Sequence, residues 1–304
     1  MANSIQSAPV LVVGATGRQG GAVARALLAR GQPVRVLVRD PHSPGATALK
    51  ALGAELVRGD LKDKASLLEA CAGVRAVFSM PPLTVETVGT DDERVMGRNL
   101  VEAAKAAGVP QFVHTSVSGA GEFHRTAPGW KEGLWDVHYW ESKAYTQELV
   151  RDAGFPSWTL LKPAFFMENF LRPSFMFHNR VGNRLLTVLK PQTVLALIAV
   201  RDIGDAGAAA LLAPEKLHRV ELELAGERLT MTEIARTLGE AWKVSPEAPD
   251  LTVEEAIAQG LPAVFAKNHQ RLNEVGSPAT PEQARSLGLP LTDFKTWAHS
   301  VAGG

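Results

Sequence analysis

"VLVVGATGRQGGAVARALLARG", residues 10–31, decides the fold of this chain. Four apolar residues, 10–13, read as a short buried strand. Residues 17–30 then carry Val23, Ala26 and Leu27 on one helical face, and Gly31 suits the left-handed position past a helix end. Between strand and helix, Gly14, Gly17 and Gly20 are spaced G-x-x-G-x-x-G, with Gly21 as a further small residue. Each glycine answers a physical demand in such a turn. The first leaves the strand in a tight turn, the second lets the backbone approach a pyrophosphate, and the third lets the helix pack on the sheet. Amides at the helix N-terminus then face the phosphate charge.

Outward from this unit, strands and helices alternate. "PVRVLV" (33–38) is a second strand, 47–52 a short helix capped by Gly53, and "AELVRG" (54–59) a third strand. Residues 66–72 are helical, "VRAVFSM" (74–80) is strand four, 93–107 is a long helix ending at Gly108, and "QFVHTSV" (111–117) is strand five. Single helices between strands imply βαβ crossovers and a doubly wound parallel sheet, an α/β Rossmann fold with its ligand beyond the carboxyl ends of the strands. Residues 119–133 are glycine-rich and irregular, a candidate loop over the site. Past Phe166 the alternation loosens; residues 218–242 give one more strand and then a helix entered through Thr230 or Thr232. The expected division is a nucleotide-binding domain, 1–165, and a smaller mixed lobe on the substrate side, 166–304, with the return of some of its strands or helices to the Rossmann sheet left open.

Composition narrows the function. The 304 residues are 45% hydrophobic and 21% charged, with 32 basic and 32 acidic side chains. That balance offers no basic face for nucleic acid and no attraction to an acidic membrane. A single cysteine, Cys71, excludes an intrachain disulfide and a cysteine zinc cluster, and the eight histidines lack H-x-x-x-H spacing. No metal site is expected. The N-terminus has no basic region followed by an apolar core, and the longest apolar run, "TVLALIAV", is too short to span a bilayer as a helix. A cytoplasmic protein is expected.

Strand two bears on which dinucleotide binds. Arg39 at its end suits a ribose 2′-phosphate, favouring NADP(H); in the other reading, Asp40 takes the ribose hydroxyls and Arg39 is a solvated charge. Arg18 is a second phosphate contact. Asp60 and Leu61, in "GDLKD", are placed at the adenine, a surface turn being the alternative. Ser79 and Met80, followed by a rigid double proline, would pass the nicotinamide ribose. Chemistry centres on Tyr139 and Lys143, which share a helical face at i, i+4. The ammonium favours the phenolate and can hold the ribose hydroxyls, while the phenol gives a proton to a substrate carbonyl as hydride arrives. A solvated helix face carrying both residues is the plain alternative. Ser116 is the candidate second hydrogen-bond donor, with Thr115 and Ser118 open. Trp130, Trp135 and Trp140 line an aromatic pocket or simply pack a core. His114 and His138, with no partner visible in the sequence, read as structural, and no G-x-S-x-G elbow supports a hydrolase.

Taken together, "VLVVGATGRQGGAVARALL", "VRVLVRDP", "GAELVRGDLKD", "AAKAAGVPQFVHTSV", "LKPAFFMENF" and "IAVRDIGDAGAAAL" resemble the NmrA-like family of atypical short-chain dehydrogenase/reductases. The resemblance covers about the first 215 residues, and more loosely "ELAGERLTMTEIA". It implies NADP(H) as cofactor, with Gly14, Thr16, Gly17, Arg18 and Gln19 at the pyrophosphate and Arg39 at the 2′-phosphate. Lys143 and the segment 162–166, with Pro163 and Phe166, would lie by the nicotinamide. Family members divide into reductases of quinones, dyes or aromatic metabolites, and redox sensors that bind dinucleotide and protein partners without turnover. Sensors typically lack the active-site tyrosine. Tyr139 therefore favours a reductase of a small carbonyl or quinone-like substrate, with the sensor as the alternative.

Overall fold

The computed structural model describes residues 8–82, 87, 89–243 and 246–302. Most of the N-terminal stretch read for a leader lies outside them. The chain forms two compact units. One comprises residues up to Gly121, His138–Lys162 and Ile203–Leu222; the other comprises Glu122–Val137, Pro163–Asp202 and Glu223–Gly304.

The first unit is built on a sheet of β1 (Val10–Val12), β2 (Val34–Val38), β3 (Glu55–Arg58), β4 (Ala76–Ser79), β5 (Gln111–Thr115) and β6 (Ser157–Pro163). Their order is β3-β2-β1-β4-β5-β6, and every pair among these six is parallel. This is the doubly wound arrangement, with its switch point between β1 and β4, where the connections leave in opposite directions. Helices α1 (Arg18–Leu28), α2 (Pro44–Ala51), α3 (Lys64–Cys71) and α4 (Asp92–Ala106) make the crossovers. After the short α5 (Glu122–Thr126) comes α6 (Val137–Asp152), leading into β6. One face of the sheet packs Val77, Phe112 and Leu160 against Leu67, Leu100 and Val150, all buried.

Local chemistry explains where the helices start. The Ser43 hydroxyl accepts from the Ala46 amide and Pro44 occupies the first turn, so α2 begins three residues before the expected 47. Asp63 caps α3 in the same way and moves its start to Lys64. Gly31, Gly53 and Gly108 adopt φ of +68°, +99° and +68°, the left-handed positions that stop three of these helices.

β7 (Phe165–Phe166) and β8 (Val194–Ile198) belong to a second sheet, ordered β10-β8-β7. The single strand expected in "HRVELELAGERLT" is instead two. β9 (Val220–Leu224) joins the edge of the seven-stranded sheet, and β10 (Glu227–Thr230) pairs antiparallel with β8. The break falls at Ala225 and Gly226, and a Cβ on Gly226 would lie 3.0 Å from the Thr292 carbonyl oxygen. Thr230, not Thr232, caps the helix that follows, through a reciprocal box with Glu233. The second unit has its own core, built on Phe170, Phe177, Met231, Ile234, Phe294 and Trp297.

Candidate functional site

The glycine turn sits at the switch point, and its three glycines meet different surroundings. Gly14 has φ +71°, and a Cβ there would lie 2.4 Å from Met80 Cε and 2.9 Å from the Met80 carbonyl oxygen. A Cβ on Gly20 would meet the Gly14 carbonyl oxygen at 2.5 Å and that of Val13 at 2.8 Å. These are the tight turn and the close helix–strand packing. Gly17 differs: its φ of −92° suits any residue, and the nearest atoms to a Cβ are Gly14 O at 3.3 Å and Met80 Cε at 3.8 Å. A Cβ there is tight against one carbonyl oxygen only, a milder constraint than at the other two glycines. Gly17 is also the N-cap of α1, where no side chain caps the amides and no acidic residue occupies the first turn. An exposed glycine, amides without a side-chain cap and the positive end of the helix dipole fit a bound phosphate.

Around this turn Thr16 and Arg18 are exposed, while the Thr115 hydroxyl at the end of β5 donates to Gln19 Oε1 at 2.9 Å. Arg39 is exposed just past β2. Asp40 accepts from the His42 amide at 2.9 Å, so one carboxylate oxygen serves the local turn. Asp60 does likewise with the Lys62 amide at 2.8 Å. Leu61 is buried among core residues and its carbonyl accepts from Asn99 at 3.0 Å. Pro163 closes β6, and Phe166 is half-buried, paired with Ile198 of β8.

A second polar group gathers between β4, β5, α4 and α6. Lys143 and Tyr139 do share a face of α6, with the ammonium 5.5 Å above the phenol ring centroid. Lys143 Nζ also bonds Glu93 Oε1 at 2.6 Å, the two side chains being only 14% and 6% exposed. Burial pulls this ammonium down. The charge and hydrogen bond of Glu93, and the charge of Tyr139, outweigh it and hold Lys143 above the ordinary lysine value. His114 is not without a partner: its Nδ1 lies 3.1 Å from Ser79 Oγ, both residues buried. Burial, then the nearby Lys143 charge, push His114 down to about 3, so the ring is neutral. His138 likewise meets Asp91 at 3.2 Å.

The three hydroxyl candidates separate. Thr115 reaches the glycine turn, whereas the Ser116 hydroxyl accepts from Gln147 Nε2 at 2.7 Å and donates to the Lys143 carbonyl at 3.5 Å. Ser118 is buried. Trp140 is buried edge-on to Tyr139, and Trp135 is buried with its indole N–H on the Pro128 carbonyl. Trp130 packs edge-on against His124. Lys162 pairs with Glu221 of β9 at 2.7 Å, and Arg151 shares the same carboxylate. Among the described residues no cluster of His, Cys, Asp and Glu could hold a metal ion. No described helix is long and apolar enough to cross a membrane.

Sequence reasoning missed Glu93 and Gln147. Glu93 lies in the first turn of α4, where an acid is explained by the helix dipole alone. It meets Lys143 across 50 positions, and no spacing rule links them. Gln147 follows Lys143 by one helical turn, the only signal it offered.

Fold and turn together define a Rossmann-type dinucleotide-binding protein in its architecture. The chain belongs to the NmrA-like family, whose pattern matches residues 6–264. It is 29% identical to the NAD(P)H azoreductase of Xenophilus azovorans over 315 aligned positions, covering 97% of this chain and 99% of the relative. Among solved structures, the triphenylmethane reductase of Citrobacter sp. superposes with a TM-score of 0.80 at 21% identity, covering 97% of this chain and 100% of that one. The NADPH-dependent quinone oxidoreductase of Escherichia coli gives 0.76 at 23% identity, with 96% and 99% covered. NmrA, a negative transcriptional regulator solved with NADP, gives 0.74 at 20%, with 98% and 96% covered. At such identities the structural likenesses establish the fold.

Proposed function

We propose that this protein is an NADPH-dependent reductase of a small carbonyl, quinone-like or comparably conjugated acceptor, working in the cytoplasm. The observation that carries the reading is the glycine turn. A Cβ at Gly14 or Gly20 would meet other atoms closer than 3.0 Å, whereas one at Gly17, at a helix N-terminus without a side-chain cap, would be tight only against the Gly14 carbonyl oxygen at 3.3 Å. A relative that matches over nearly its full length is an NAD(P)H azoreductase, which supports the reductase class.

In this reading, Gly14, Thr16, Gly17, Arg18, Gln19 and Gly20 hold the pyrophosphate, and Arg39 takes the 2′-phosphate as a planar, always-charged donor. Asp60 and Leu61 border the adenine, Ser79 and Met80 the nicotinamide ribose, and Pro163 and Phe166 the nicotinamide. When bound, the cofactor supplies a hydride. Tyr139 donates the accompanying proton to the acceptor's oxygen or nitrogen, completing a two-electron reduction. Lys143 compensates the phenolate that remains, and Thr115 fixes Gln19 at the turn. A second reading, in which the protein senses NADP(H) without turnover, is favoured by the likeness to NmrA; the presence of Tyr139 weighs against it.

The test is NADPH consumption across a panel of quinones, azo and triphenylmethane dyes, aldehydes and ketones. Wild type should oxidise NADPH with at least one acceptor, and Tyr139→Phe should lower that rate by about 100-fold. Stoichiometric NADPH binding with no oxidation by any acceptor would support the sensor instead.

A further inference from the structure

The Glu93–Lys143 pair is expensive by its position. Two charges are withdrawn almost wholly from water, and an attraction of this kind roughly offsets that desolvation at best; apolar side chains of the same volume would hold α4 to α6 as well. Its partners are specific. The ammonium has Glu93 at 2.6 Å on one side and the face of Tyr139 at 5.5 Å on another. It sits over the ring. Among the described residues, His114 on β5 is a further titratable neighbour of the lysine, whose charge helps to keep it neutral. Further along the same two helices, His138 and Asp91 form a separate, more exposed pair. The lysine's charge therefore reaches Tyr139 as part of an ion pair, with the carboxylate cancelling part of the ammonium's pull.

We infer that Glu93 is a positioning residue for Tyr139: it clamps the Lys143 ammonium over the ring and withholds part of its charge from the phenol. Both effects keep Tyr139 protonated, the state in which it can give up a proton, and prevent Lys143 from stripping it. The inference rests on the assignment of Tyr139 and Lys143 as acid and partner, but its test needs neither cofactor nor substrate.

The chain contains two tyrosines, Tyr139 and Tyr145, so Tyr145→Phe leaves a single phenol whose ionisation is read by absorbance near 295 nm. In that background Glu93→Gln should move the phenol midpoint down by about one pH unit, because a nearby unscreened cation favours phenolate. Glu93→Asp, which keeps the charge one methylene further back, should give a smaller shift of the same sign, and it serves if Glu93→Gln does not fold. With Lys143→Met also present, Glu93→Gln should shift the midpoint less than half as far, since a buried carboxylate without its ammonium is held protonated and has little charge left to remove. An unchanged midpoint in folded Glu93→Gln or Glu93→Asp, or an equal shift without the lysine, would overturn the proposal. A shift as expected in a protein that oxidises no NADPH would leave the Glu93 role standing and remove the reductase reading.

Discussion

The glycine turn and the Glu93–Tyr139–Lys143 group lie in the same unit of the fold, yet they are held by different physics. In the turn, the constraint is backbone against backbone: Gly20 has a carbonyl oxygen 2.5 Å from where a Cβ would be, and no rotamer relieves that. In the charged group, the constraint is side chain against side chain, with a carboxylate and an ammonium brought together from helices 50 positions apart. The first kind of site is rigid and local. The second is adjustable, and its chemistry depends on charges that a single substitution removes.

The comparison can be broken first at the turn. Gly20→Val should cost more than about 3 kcal/mol, because the added carbons meet main-chain atoms that can move only by lifting α1 from β1. Little folded protein should be recovered, as measured by urea denaturation; a stable Gly20→Val would refute the packing account. At the charged group, Lys143→Met should cost about 3 kcal/mol by leaving the Glu93 carboxylate buried without its partner. Adding Glu93→Gln to it should restore much of that loss, since a neutral amide is far cheaper to bury. If the double variant is no more stable than Lys143→Met alone, the stranded carboxylate is not the cause.

A smaller effect follows from pH. His114 is held down to about 3, and His269 in the second unit to about 4 by burial, so both stay neutral in the folded chain. Unfolded, both take up protons below about 6.5. The unfolded state then binds more protons, and stability must fall as pH drops from 6.5 towards 4. Between pH 7.5 and 5 each of the two histidines should contribute a loss on the order of 2 kcal/mol in urea denaturation. His114→Gln should flatten this dependence; a wild type equally stable at both pH values would contradict neutral buried histidines.

The same contrast explains what the sequence made legible. The order of β1 to β5 and the three glycines could be read because each is enforced within a few residues, by period, cap or turn. Helix starts at Pro44 and Lys64 were displaced from expectation because capping by Ser43 and Asp63 outweighed the apolar pattern. β9 and β10 read as one strand because nothing in the pattern 218–230 marks a change of sheet; the close approach at Gly226 is tertiary. Tyr139 and Lys143 could be paired from their i, i+4 spacing. Glu93, which sets the charge around them, and Ser79, which holds His114, reach their partners only through the fold.

NADP+ titration of Gly17→Val by calorimetry, beside its thermal unfolding, tests most directly that the turn is a phosphate cradle and not merely a tight corner. Gly17 has an ordinary φ and a Cβ there is tight against one atom alone, the Gly14 carbonyl oxygen at 3.3 Å, so the variant should melt within about 5 °C of wild type while its NADP+ affinity falls at least 100-fold. Undiminished NADP+ binding in a folded Gly17→Val protein would contradict the account.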